Sequence, residues 1–180
     1  MRHIVKTKPV AILAAGAALL ALAACGSSSR VENPHPCPEL RIPDETAEIT
    51  RFRPGGAIDL TDVAFQARIS GTGMMCSAGA GNSTLVDIAL EFEAARGPAA
   101  TQPGLPIDYF VAVVGPDGAI LNREAFSIEM RVPDRSSFDT RVDELRITIP
   151  VREGSTSADY RLFAGFQMTA EELSYNRMRR

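Results

Sequence analysis

Two stretches of this chain alternate apolar and polar side chains with a period of two. Val63, Phe65, Ala67 and Ile69 are interleaved with Ala64, Gln66, Arg68 and Ser70, while Val86, Ile88, Leu90, Phe92 and Ala94 oppose Asp87, Glu91 and Glu93. Successive side chains of a strand point to opposite faces, so this spacing builds strands with one buried face; an amphipathic helix repeats its apolar positions every three to four residues instead. The pattern recurs along the chain. Phe126, Ile128, Met130 and Val132 stand against Ser127, Glu129 and Arg131, and Leu145, Ile147 and Ile149 stand against Arg146 and Thr148. Tyr160, Leu162, Ala164 and Phe166 follow, against Arg161 and Phe163. Ile107 to Val114 is apolar apart from Asp108, as expected of a central strand covered on both faces.

Turn signals separate these runs. Gly115-Pro116-Asp117-Gly118 predicts a bulged hairpin, since Pro presets φ and Gly accepts a positive φ. Gly79-Ala80-Gly81-Asn82 predicts a second turn, preceded by Met74-Met75-Cys76 between the first two runs. With a first strand near residues 48–53, the chain is expected to hold seven or eight strands. The expected fold is all-β, an antiparallel β-sandwich of immunoglobulin-like type over residues 46–180, with a closed barrel as the alternative. Such a body buries roughly two thirds of its unfolded surface and needs no partner to fold. Charge on the outward faces argues against a lipid-embedded barrel. A short C-terminal helix is expected after Thr169, which with Glu172 fits a capping box, and Leu173 and Tyr175 are expected to fold back onto the sandwich.

The amino-terminal end is built differently. Arg2, Lys6 and Lys8 precede Val10 to Ala24, an apolar run interrupted only by Gly16. At about 1.5 Å per residue this run spans about 22 Å as a helix, short of a hydrocarbon core of about 30 Å. Residues 1–24 therefore read as an export signal rather than a permanent membrane span. Leu22-Ala23-Ala24-Cys25-Gly26 resembles the bacterial lipobox, in which Leu stands three residues before an obligatory Cys. The resemblance implies diacylglycerol on the Cys25 sulfur, cleavage after Ala24, and an acylated new terminus. Gly rather than Asp at position 26 implies, by the same resemblance, the outer membrane and its periplasmic face. Residues 25–45, Ser-rich and then carrying Pro34, Pro36, Pro38 and Pro43, read as the lipidated Cys and an extended spacer.

Beyond Cys25 the chain has two cysteines, Cys37 and Cys76. An oxidising compartment favours a disulfide between them, the alternatives being free thiols or a metal pair. The metal alternative lacks ligands, because the one histidine after the signal, His35, sits between Pro34 and Pro36.

The body also resembles an uncharacterised family of small proteobacterial lipoproteins. The resemblance rests on Gly165-Phe166-Gln167-Met168-Thr169 with Leu173 and Tyr175-Asn176-Arg177, on Arg96-Gly97-Pro98-Ala99-Ala100, and on Tyr109-Phe110-Val111-Ala112-Val113. It implies a lipoprotein and no particular activity.

Chemistry is sparse. The 180 residues hold 19 basic and 22 acidic groups; without the signal's three cations, 16 basic face 22 acidic, a net charge of −6. That balance argues against nucleic-acid binding, which needs a basic surface. Serine or cysteine catalysis would have to recruit His35 from the spacer. Gly71-Thr72-Gly73 lacks the third glycine of a phosphate-binding loop and reads as a strand end or turn. Asp87, Glu91 and Glu93 share a strand face about 7 Å apart, which suits paired-carboxylate hydrolysis and equally a solvated sheet. Asp139, Asp143 and Glu144 near Ser136 and Ser137 fit no known calcium loop. Arg177, Arg179 and Arg180 suit anionic headgroups or a solvated terminus. The expectation is a lipid-anchored envelope protein that is no enzyme and uses no cofactor, binding another envelope protein. The alternatives are a small-ligand or glycan binder and, behind it, a carboxylate hydrolase.

Overall fold

The computed structural model describes residues 35–133, 136 and 138–179. The residues read as an export signal, Cys25 and the spacer as far as residue 34 lie outside them, as do Ser137 and Arg180.

Eight strands and one helix follow in order: β1 (Glu39–Arg41), β2 (Glu48–Phe52), β3 (Val63–Ala78), β4 (Ser83–Arg96), β5 (Gly104–Val114), β6 (Ile120–Arg131), β7 (Asp139–Pro150), β8 (Arg161–Phe166) and α1 (Ala170–Met178). They form two four-stranded sheets, β1-β8-β5-β6 and β2-β3-β4-β7. The β-sandwich expected from the alternation is therefore present. Its strand order is not that of an immunoglobulin domain, where the second and third strands fall in different sheets; here β2, β3 and β4 are consecutive neighbours. All pairings are antiparallel except β1 with β8, which is parallel.

The apolar sets meet between the sheets. Val86, Ile88, Leu90, Phe92 and Ala94 of β4 are buried against Ile107, Tyr109, Val111 and Val113 of β5 and Leu162, Ala164 and Phe166 of β8. The Phe92 ring lies 4.9 Å from that of Tyr109 and 5.9 Å from that of Phe166, so one side chain of the second sheet joins two of the first. As expected, β5 lies between two strands, β6 and β8. The hairpin after it closes through Gly118 N–H to Gly115 O, with Gly118 at φ 81° and a register shift at Val113/Val114.

Two local expectations change. The spacer is shorter than the reading to residue 45, because Glu39–Arg41 already pairs with Arg161–Phe163. Pro38 is buried, and the Pro36 carbonyl accepts from the Ser157 hydroxyl. Gly71-Thr72-Gly73 is neither strand end nor turn; it continues β3 together with Met74-Met75-Cys76, and the turn comes after Ala78, at the expected Gly79-Ala80-Gly81-Asn82. The alternation was lost there because β3 carries a bulge. Ile69 pairs with Phe92 and Gly71 with Glu91, leaving Ser70 as the extra residue. Past it the inward parity switches from Phe65, Ala67 and Ile69 to Met74 and Cys76, which pair with the core residues Ile88 and Val86.

Helix α1 starts as the sequence predicts. Thr169 Oγ1 accepts from Glu172 N–H at 3.2 Å and the Glu172 carboxylate accepts from Thr169 N–H at 2.7 Å. The helix packs on β2: Tyr175 meets Phe52 edge-on at 5.1 Å, and Glu172 pairs with Arg51 at 3.3 Å. Among the described residues no helix is long and apolar enough to cross a membrane.

Candidate functional site

Each carboxylate on the outward face of β4 is held by a partner from a neighbouring strand. Asp87 takes Arg146 of β7 through two hydrogen bonds of 2.6 and 3.2 Å, and this guanidinium holds the Asp87 carboxyl below its ordinary pKa. Glu93 takes Arg68 of β3 at 3.2 and 3.1 Å, and Glu91 accepts from Ser70 Oγ at 2.7 Å. Cross-strand pairing is thus what this face does with its charge. The acids considered for calcium do not converge either. Asp143 turns inward and accepts from the Tyr109 phenol at 2.6 Å, whereas Glu144, its neighbour on the strand, turns outward. Asp139 takes Arg131 N–H and Arg141. Burial, and then the Asp143 carboxylate, push the Tyr109 phenol above its ordinary pKa. Among the described residues no group of three or more His, Cys, Asp and Glu side chains is placed to hold a metal ion. Of the terminal arginines, Arg177 pairs with Glu45 at 3.5 Å and Arg179 lies 5.3 Å over the Tyr175 ring.

The feature that stands out is a backbone one. β2 pairs with β3 only as far as Arg68, and Ile69 N–H makes the last bond, to Ala47 O. Among the described residues, the rest of β3, from Ser70 to Ala78, pairs only with β4. Nine residues therefore present one row of backbone N–H and C=O groups with no strand beside them. A bare edge of this kind is a template for strand addition, and proteins blunt it with charge, proline, brevity or a covering element.

Among the described residues, the four strands that end the two sheets, β1, β6, β2 and β7, are each blunted. β1 has three residues, carries Glu39 and Arg41, and is flanked by Pro38 and Pro43. β2 lies under α1. β6 carries Arg123, Glu124, Glu129 and Arg131; β7 carries Arg141, Asp143, Glu144 and Arg146 and ends at Pro150. From Ser70 to Ala78 there is no charged residue and no proline.

Cys76 fixes the far end of this segment. Its side chain faces inward because of the bulge at Ser70, and it forms a disulfide with Cys37, the residue two before β1, at a Cα separation of 5.5 Å. The expected bridge thus ties the two sheets together beside the open edge, and it holds a strand flanked on one side only. Outward from the same segment point Gly71, Gly73, Met75 and Ser77. Met75 is 71% exposed. Beside it, the lack of side chains at Gly73 and the small Ala89 leave a groove of about 550 Å³, walled by Asp87, Glu144 and Arg146.

The neutral tract was visible in the sequence, but its role was not. Seven small residues around two methionines carry no strand alternation until the bulge and the sixteen-residue length of β3 are known. A broken alternation whose phase resumes one residue later is the signal that would have exposed it. Neither a protein-family model nor a characterised protein matches the chain.

Proposed function

We propose that this chain is a lipid-anchored protein of the bacterial cell envelope whose sandwich is a non-catalytic assembly module. It binds another protein by strand addition at the Ser70–Ala78 edge of β3. In this reading residues 1–24 are removed, Cys25 carries the lipid, and the body faces the periplasm at the outer membrane. Support for the anchor comes from the lipobox-like Leu22-Ala23-Ala24-Cys25 after a basic and apolar leader, and from the Cys37–Cys76 disulfide, which suits an oxidising compartment. The observation that carries the assembly role is the contrast among edges: among the described residues, nine neutral residues of β3 have no strand on one side, whereas the strands that end the two sheets are charged, short or covered. The carboxylates that would serve a hydrolase are engaged by Arg146, Arg68 and Ser70, which supports the non-catalytic reading.

Two measurements test the two halves separately. Cys25→Ser is expected to abolish labelling by a fatty-acid analogue and leave the precursor uncut; persistent labelling overturns the anchor. A photo-crosslinking residue at Ser77, on the outward face of the open edge, is expected to capture protein in intact cells. The same residue at Thr148, on the outward face of β7, is expected to capture much less, and equal capture overturns the edge as the contact surface.

A further inference from the structure

We infer that the strand received by this edge is the same edge of a second copy of the chain, giving a twofold dimer with one continuous eight-stranded sheet. The inference rests on reading the edge as a contact surface and names its occupant.

Three observations select the second copy. The first is electrostatic. The chain after Cys25 has a net charge of −6, so two copies repel unless they meet where neither is charged. Among the described strand edges, Ser70–Ala78 is such a place; pairing β6 or β7 with itself brings arginines and carboxylates of both copies together in a register that must satisfy them all.

The second is register. The open segment begins at Ser70 and ends at Ala78, so its midpoint is Met74. Two antiparallel copies that use the whole open length must place their twofold axis at Met74. Ser70 then lies opposite Ala78 of the second copy, and Met75 opposite its Gly73. A twofold contact is isologous, each residue pair occurring twice.

The third is shape. Met75 is the largest outward residue of the segment and Gly73, like Gly71, has no side chain, and this register sets Met75 against Gly73 on both sides of the axis. Each exposed Met75 then lies over the other copy's Gly73 and enters the groove floored by Gly73 and Ala89. Gly73 has an ordinary negative-φ strand backbone, and a Cβ built there would meet only the Ala89 Cβ, at 3.7 Å. The fold of a single copy does not require glycine at this position. A neighbour's methionine does.

The test uses the full chain in its own membranes. A benzophenone amino acid at Ser77, which leaves Met75 in place, is expected to give on irradiation a product of twice the chain mass containing this chain alone. Gly73→Val fills the space for Met75 and should remove that product while melting temperature and the Cys37–Cys76 bond are unchanged. Met75→Glu sets like charges diagonally across the axis, within reach of long side chains, and should weaken pairing about tenfold. Co-expressing Met75→Glu with Met75→Arg should restore it. A crosslink to a different protein overturns the second-copy inference and leaves strand addition standing; no crosslink from position 77 overturns both. A dimer that survives Gly73→Val and Met75→Glu places the interface elsewhere and also overturns the inference.

Discussion

Replacing Asn176 by alanine tests how α1 is held. This side chain is 7% exposed, and its amide donates to two backbone carbonyls, Glu45 O at 2.9 Å and Glu48 O at 2.7 Å. Both carbonyls belong to the segment that leaves a short 3₁₀ turn and starts β2, so one amide pins the helix to the point where the chain enters the second sheet. Each such bond contributes about 0.5–1.5 kcal/mol net, and acceptors left without donors in a part-buried seam add to the loss, so Asn176→Ala is expected to destabilise by about 2–3 kcal/mol. With a urea m-value of about 2 kcal/mol/M the midpoint should fall by about 1 M, with the slope unchanged. Asn176→Asp should be worse at pH 7, because it sets a carboxylate against two carbonyl oxygens. Facing acceptors raises the folded pKa of that carboxyl, so part of its deficit should return as pH falls and it protonates. Equilibrium urea unfolding of the three proteins, followed by far-UV circular dichroism, decides. A loss below about 0.5 kcal/mol for Asn176→Ala would refute the reasoning, since it would mean that water replaces the amide freely.

Cys37→Ser with Cys76→Ser opens a loop whose ends are 39 residues apart, which the chain-entropy model values at about 4 kcal/mol; urea midpoints of the double variant and the oxidised protein check it. Tyr109 sets an alkaline limit. Its folded pKa is raised above the ordinary 10.0, so the stability it contributes is present below pH 10 and is lost as pH rises toward the folded value. Stability measured between pH 9 and pH 11 should therefore decline, and Tyr109→Phe should flatten that decline while giving up the bond to Asp143. At the acid end, Asp87 and Asp117 are held below the ordinary carboxylate range by Arg146 and Arg152, so their contributions are present near neutrality and fade as pH falls through the folded values. Both groups are exposed, and 1 M salt should mute this acid-side slope.

What the sequence determined by itself is local in origin. The alternation of Val86 to Ala94 marks β4 because a strand's side chains must alternate, whatever it pairs with. Gly118 marks a turn because its φ of 81° excludes most other residues, and Thr169 with Glu172 marks a helix start because the first turn leaves N–H groups unpaired. Counting cysteines beyond Cys25 left Cys37 and Cys76 as the candidate pair, with free thiols and a metal pair still open, and the structure joins them in a disulfide. What the tertiary structure alone decided concerns partners distant in the chain. β1 has three residues and no visible period; it exists because β8, more than a hundred residues later, offers it a parallel edge. Asn176 looks like any surface residue of a short polar helix until the carbonyls of Glu45 and Glu48 lie above it. Gly165 must be glycine because Thr46 of the crossing segment packs against β8 where a Cβ would stand. The open edge of β3 belongs to this second kind. Its neutrality can be read from Ser70 to Ala78, but its bareness depends on where β2 stops, and hydrogen-bond pairing between strands is a property of the assembled sheets rather than of either segment.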